Sequence, residues 1–138
     1  MRTIAAIAFA LMVSGAASTA SEPALPCKGA PKIEGECFTI HGRLFVANGT
    51  PGVRIWRVGT TRILGVTDGD GDAEGKSLLP PSVQKLLKAD PFFTDIYGDY
   101  NVCPLEIDRP GRMRTVCVES ASHLLAVTRQ GTIAKAHP

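Results

Sequence analysis

Four acidic side chains alternate with other residues in the segment TDGDGDAEGK, and carboxylates in this pattern could bind a metal ion. They are Asp68, Asp70, Asp72 and Glu74. Alternate carboxylates in a glycine-rich loop supply the oxygen ligands that calcium prefers. The segment departs from the EF-hand loop, because Ala73 stands where that loop turns on glycine and Leu79 stands where its bidentate glutamate belongs. We therefore expect an exposed acidic loop and no cofactor, with a calcium-dependent adhesion module as an alternative.

Hydrolysis would require a histidine beside an acid and a nucleophile. His41, Asp99 and Ser120 supply these residue types, but no serine has the G-x-S-x-G surroundings of a nucleophile elbow. His123 is expected to border the last strand. The sequence predicts no catalytic residue and a binding face around His41 and Arg43. A secreted hydrolase that uses His41 with neighbouring carboxylates remains an alternative.

The cysteines could form disulfides, bind a metal or act as redox groups. They are Cys27, Cys37, Cys103 and Cys117. The chain has no C-x-x-C motif, and no histidine lies at ligand spacing from a cysteine, which argues against a redox or zinc site. An even number of cysteines in an exported chain predicts disulfides instead.

The expected pairing of the cysteines follows from a predicted hairpin, whose turn is RPGR at residues 109–112. A reversal centred on Pro110 places Cys103 opposite Cys117, on the sheet face away from the core. Directly opposed residues have Cβ atoms near the separation that a disulfide needs. The sequence thus favours Cys103 with Cys117 and Cys27 with Cys37, and a slip of one residue in register would remove the argument.

The first twenty residues have the pattern of a secretory signal peptide. Arg2 precedes an apolar run over residues 4–13, and Ser18 and Ala20 stand at the positions that signal peptidase reads. The run is shorter than the roughly 20 residues that span a membrane. We expect cleavage after Ala20 and a periplasmic or secreted protein.

The balance of charged residues limits the classes of binding partner that we expect. The chain of 138 residues carries 15 Lys and Arg against 13 Asp and Glu, a balance that gives no electrostatic case for binding nucleic acid or an anionic membrane. The expected partner is an envelope or extracellular protein or a glycan.

Hydrophobic alternation and turn residues divide the rest of the chain into short elements. An irregular lead-in covers residues 21–36, and a polar tail covers residues 129–138. A short helix is expected to begin at Pro81 or Ser82 and to end before Pro91. The predicted strands cover residues 37–47, 53–58, 62–66, 96–105, 112–120 and 123–128.

Three stretches, HGRLFVANGTPGVRIWRVGTT, FFTDIYGDYNV and RTVCVESASHLLAV, resemble the transthyretin-like sandwich of carboxypeptidase regulatory-like domains. Thr94, Asp95, Gly98 and Tyr100 match the T-D-x-x-G-x-Y pattern of those domains. The resemblance implies an accessory folding or binding module without catalytic residues. The whole chain also resembles uncharacterised exported bacterial proteins.

Together these features predict an all-β protein over residues 37–128. We expect an antiparallel β-sandwich of about seven strands, prealbumin-like, with one short helix and two disulfides. Its predicted function is that of an exported, non-catalytic binding or structural module.

Overall fold

The computed structural model describes Cys27 and residues 33–67, 79–88, 90–128 and 133–135, the last segment as backbone only. These residues form six β-strands and one α-helix. In chain order they are β1 (Phe38–Val46), β2 (Val53–Arg57), β3 (Ile63–Val66), α1 (Pro81–Leu87), β4 (Thr94–Pro104), β5 (Arg114–Thr128) and β6 (Ile133–Lys135). The prediction of a β-rich chain with one short helix is confirmed. In the described part of the chain, no helix has the length and apolar character needed to cross a membrane.

The strands form one sheet in the order β3-β2-β1-β4-β5-β6. All neighbours in this order are antiparallel, but β3 also pairs in parallel with the start of β5, with Leu64 opposite Arg114 and Val66 opposite Val116. This extra pairing joins the first five strands into a closed barrel, with α1 in the connection from β3 to β4. The connectivity is that of the five-stranded Greek-key barrel called the OB-fold.

The closed sheet differs from the two-sheet sandwich expected from the sequence, and the described residues contain six strands instead of about seven. The difference arises largely from β5, a strand of 15 residues that covers both segments predicted as separate strands. Its start pairs with β3, while its later residues pair with β4 and β6. A short strand, β6, also lies in the segment expected to be a polar tail.

The inside of the barrel is filled by the apolar residues that alternate along each strand. Ile40, Leu44, Ile55, Ile96 and Val102 are among these buried side chains. Val83 and Leu87 of α1 belong to the same core, so the helix packs on the barrel through one face. Tyr100 is fully buried, and its hydroxyl donates to the carbonyl of Ile96 at 2.8 Å. Burial raises the pKa of this phenol, which therefore stays neutral.

The four cysteines form two disulfides, but the predicted pairing is wrong. Cys27 is bonded to Cys117, and Cys37 is bonded to Cys103. The hairpin register was predicted correctly, since Cys103 does lie opposite Cys117. However, β4 lies between β5 and β1, so Cys103 has a neighbour on each side and bonds to Cys37 at the start of β1.

The cysteines also lie on the predicted side of the sheet, away from the barrel core. They are nevertheless covered, because Cys27, Cys103 and Cys117 are buried with Ile33 and Leu105 packed against them. The lead-in is held there by the bond from Cys27 and by the N–H of Glu34, which donates to the carbonyl of Pro104 at 2.8 Å. Two disulfides indicate an oxidising, non-cytoplasmic location.

Candidate ligand-binding face

The outer surface of β2, β1 and β4 brings together polar and aromatic side chains, among them His41, Arg43 and Asp99, which the sequence singled out. Side chains alternate across a strand, so residues two apart share a face. We call this surface the β1 face and define it by His41, Arg43, Phe45, Trp56, Tyr97 and Asp99. The predicted binding residues His41 and Arg43 both belong to it.

Arg43 lies at the centre of the β1 face, with Trp56 opposite it on β2 and Tyr97 opposite it on β4. Its guanidinium carbon is 5.3 Å from the centroid of the Trp56 ring and 5.1 Å from that of Phe45, within the range of cation–π attraction. One of its terminal nitrogens donates to the carboxylate of Asp95 at 3.4 Å. These contacts hold the guanidinium in position on a side chain that is about one-third exposed.

Trp56 is also held in place. Its indole N–H donates to the carbonyl of Thr60 at 2.6 Å, which anchors the ring to the turn between β2 and β3. The ring is half-buried, whereas Val53 and Ile55 on the same strand are fully buried. Trp56 therefore faces outward, away from the barrel core.

Beside this aromatic row, two histidines bind one carboxylate. Nδ1 of His41 is 2.9 Å from one oxygen of Asp99, and Nδ1 of His123 is 2.9 Å from the other. The side chains of His41, Asp99 and His123 are 59%, 35% and 81% exposed, so the cluster is open to solvent. The hydrogen bond from His41, followed by that from His123, lowers the pKa of Asp99 below its ordinary value.

The pairing of β1 with β4 places His41 directly opposite Asp99. His123 joins them through an irregularity in β5: between Tyr97 and Asp99 the pairing with β5 shifts by one residue. His123 has a φ of 52°, and this left-handed conformation lets its ring reach the carboxylate across the strand boundary.

Gly98 permits the close approach of β5 at this bulge. A Cβ at this position would lie 2.9 Å from the carbonyl oxygen of Ser122 and 2.6 Å from the side chain of Leu124. Any larger residue would therefore push β5 away from β4. The bulge and the glycine together build the cluster.

The arrangement does not form a hydrolytic triad. In such a triad the acid binds Nδ1 of the histidine, and the nucleophile binds Nε2. The hydroxyl of Ser122 is 3.4 Å from Nδ1 of His123, the nitrogen that already binds Asp99. Ser120 lies opposite Asn101, one row further along the sheet.

Among the described residues, no group of three or more His, Cys, Asp or Glu side chains is arranged to hold a metal ion. The acidic loop that could bind calcium, Asp68 to Glu74, lies outside the described residues. The four cysteines are all in disulfides.

Sequence reasoning named His41 and Asp99 but did not bring them together, and it missed His123 as their partner. The positions of the cysteines contain the information that pairs His41 with Asp99. If Cys37 is paired with Cys103, antiparallel alignment of the two strands places His41, four residues after Cys37, opposite Asp99, four residues before Cys103.

The strand pairing thus gives an OB-type barrel, and its exposed β1 face carries aromatic and histidine side chains. Comparison with known proteins adds no nearer relationship: no family model, no curated protein and no solved structure matches this chain.

Proposed function

We propose that the protein is an exported, non-catalytic ligand-binding module and that its binding surface is the β1 face. The observation that carries the proposal is the row of Trp56, Arg43 and Tyr97 across three neighbouring strands. Aromatic and arginine side chains are enriched at binding interfaces and among the residues that dominate binding energies. Here contacts within the protein hold Arg43 and Trp56 in place, and all three residues are partly exposed.

The fold supports part of the same surface. OB-type barrels bind oligonucleotides and oligosaccharides over the face of their second and third strands and the adjoining loops, and the β1 face includes the second of these strands through Trp56. Because one fold hosts many functions, the chemistry of the face itself carries more weight. The close balance of charges favours a glycan or a protein as the ligand over nucleic acid.

We also propose that the module works in the periplasm or outside the cell. The predicted signal peptide over residues 1–20 supports export, and the disulfides require an oxidising compartment. The transthyretin-like relationship inferred from the sequence stays a prediction, since none of the comparisons tests it. Calcium binding by Asp68 to Glu74 likewise stays a prediction.

Fluorescence provides a direct test, because Trp56 is the only tryptophan of the chain. Soluble oligosaccharides and short peptides are titrated into the protein while its tryptophan emission is recorded. We expect at least one probe to change the emission saturably, and Arg43→Ala to weaken that binding by about tenfold or more.

The matched control is Arg109→Ala, which removes an exposed arginine from the turn between β4 and β5. It should bind like the wild type. Saturable binding that Arg43→Ala leaves unchanged would place the ligand elsewhere and contradict the proposal.

One observation favours the hydrolase alternative: His41 is held by a carboxylate, as a general base would be. Exposure of His41 and His123 weighs against it, because catalytic groups gain most from a site that excludes water. Hydrolysis of a chromogenic ester or glycoside that is abolished by His41→Ala would support the enzyme.

A further inference from the structure

The carboxylate of Asp99, which lies between His41 and His123, fixes the tautomers of both imidazole rings. An ionised carboxylate only accepts hydrogen bonds, so each Nδ1 at 2.9 Å from Asp99 must carry a hydrogen. A neutral imidazole has a single N–H, and Nε2 of each ring is then an acceptor. The cluster therefore offers solvent two oriented acceptors when the rings are neutral.

These acceptors surround the carboxylate of Asp99, whose pKa is lowered and which therefore carries a negative charge at neutral pH. Phosphates and carboxylates are acceptors and anions, and they fit such a site poorly. A group that donates hydrogen bonds without bearing negative charge fits it well. Hydroxyl groups have this property.

The aromatic row provides the second half of the recognition. Arg43 follows His41 by two residues on β1, and Tyr97 precedes Asp99 by two residues on β4, so the row and the cluster lie about 7 Å apart along the strands. A ligand that spans this distance meets hydroxyl acceptors at one end and ring surfaces at the other. Sugar rings combine hydroxyl donors at the rim with an apolar face of C–H groups.

We infer that the β1 face binds a neutral oligosaccharide, with ligand hydroxyls donating to Nε2 of His41 and His123 and a sugar ring against Tyr97 and Trp56. This inference rests on the proposed function, because it names the ligand class of the same surface. Asp99 acts as a positioning residue that orients both acceptors.

The test uses the neutral oligosaccharides of cellulose, starch and chitin as probes, with calorimetry and Trp56 emission as readouts. We expect at least one series to bind saturably at about pH 7.5, and His41→Ala and His123→Ala each to weaken binding about fivefold, the worth of one hydrogen bond. His41→Gln, whose amide oxygen can replace the acceptor, should lose less.

The glutamine variants separate this role from a merely structural one. The double variant His41→Gln/His123→Gln keeps an amide oxygen as acceptor at each position, so it should bind more tightly than His41→Ala/His123→Ala. Equal losses in the two double variants would show that the histidines do not act as acceptors.

An anionic oligosaccharide serves as a second class of probe. It distinguishes failure of the neutral-sugar inference from failure of the proposed function. Saturable binding of an anionic oligogalacturonate that is lost in Arg43→Ala would keep the β1 face as the binding surface and overturn the neutral-sugar inference. Absence of saturable binding by every neutral oligosaccharide would also overturn the inference. If the peptides and the anionic probe fail as well, the proposed function falls with it.

Discussion

At the scale of single residues, the most informative feature is a carboxylate shared by two imidazoles. Asp99 has no motif around it, and in the sequence it is one of many polar residues on alternating strands. Its role depends on pairing between strands far apart in the chain, which local patterns do not encode. The types of residue were therefore predictable, whereas their association required the correct disulfide.

The shared carboxylate predicts a specific titration. Since hydrogen bonds from His41 and His123 lower the pKa of Asp99, its carboxyl carbon should titrate by NMR below the ordinary value of 3.8. His41→Ala should raise that pKa more than any other single change. Lys85→Ala, which removes an exposed charge from α1, should leave it unchanged.

The lowered pKa of Asp99 also makes the stability of the protein depend on pH. A lowered pKa contributes stability above the ordinary pKa of the group, and that stability is lost as the pH falls through the folded-state value. The His41→Ala variant should thus be less stable than the wild type at neutral pH and equally stable in strong acid. An Asp99 carboxyl that titrates at its ordinary value would contradict the cluster.

At the scale of elements, strands were predictable from alternation, and closure of the barrel was not. The first three strands and the helix lie within a few residues of their predicted positions, because burial on one face imposes the period. The parallel contact of β3 with β5 leaves no such pattern. The bulge at His123 could not be predicted either, because no sequence pattern indicates a histidine with positive φ.

Glu106 should stabilise the connection between β4 and β5. Its carboxylate accepts from the backbone N–H of Thr115 at 2.6 Å and from the Thr115 hydroxyl at 2.9 Å. Glu106→Ala removes both bonds and should lower the free energy of unfolding by about 1–3 kcal/mol at neutral pH, measured in urea. Glu36→Ala, a change at an exposed acid in the lead-in, should have little effect.

The bonds from Thr115 lower the pKa of Glu106, so this contribution is present above the ordinary value of 4.5 and disappears as the pH falls through the folded-state pKa. If Glu106→Ala lowers the free energy of unfolding by the same amount in strong acid, the negative charge of Glu106 does not contribute to stability.

Gly98 should be essential to the bulge. Gly98→Ala places a methyl group against Ser122 and Leu124, and we expect a loss of about 1–3 kcal/mol in the free energy of unfolding, measured in urea. Movement of β5 should also release His123, so the pKa of Asp99 should rise in the same variant. A variant as stable as the wild type, with Asp99 unchanged, would contradict the close approach.

At the scale of the whole molecule, the disulfides hold the lead-in and the start of β1 onto the β4–β5 hairpin. They join residues 90 and 66 positions apart, so each closes a long loop of the unfolded chain. The double variant Cys37→Ala/Cys103→Ala should lose about 3 kcal/mol on the chain-entropy model, because the remaining Cys27–Cys117 bond already links the two segments by a shorter path. Mass spectrometry of unreduced peptides checks the pairing, and a Cys103–Cys117 peptide would contradict it.

The ligand site can be located from the backbone amide shifts in a ¹H–¹⁵N spectrum as a bound oligosaccharide or peptide is titrated in. Binding to the β1 face should perturb residues that cluster around His41, Arg43, Trp56 and Tyr97. Perturbations confined to the turn at residues 109–112 or to α1, with the β1 face unchanged, would contradict it.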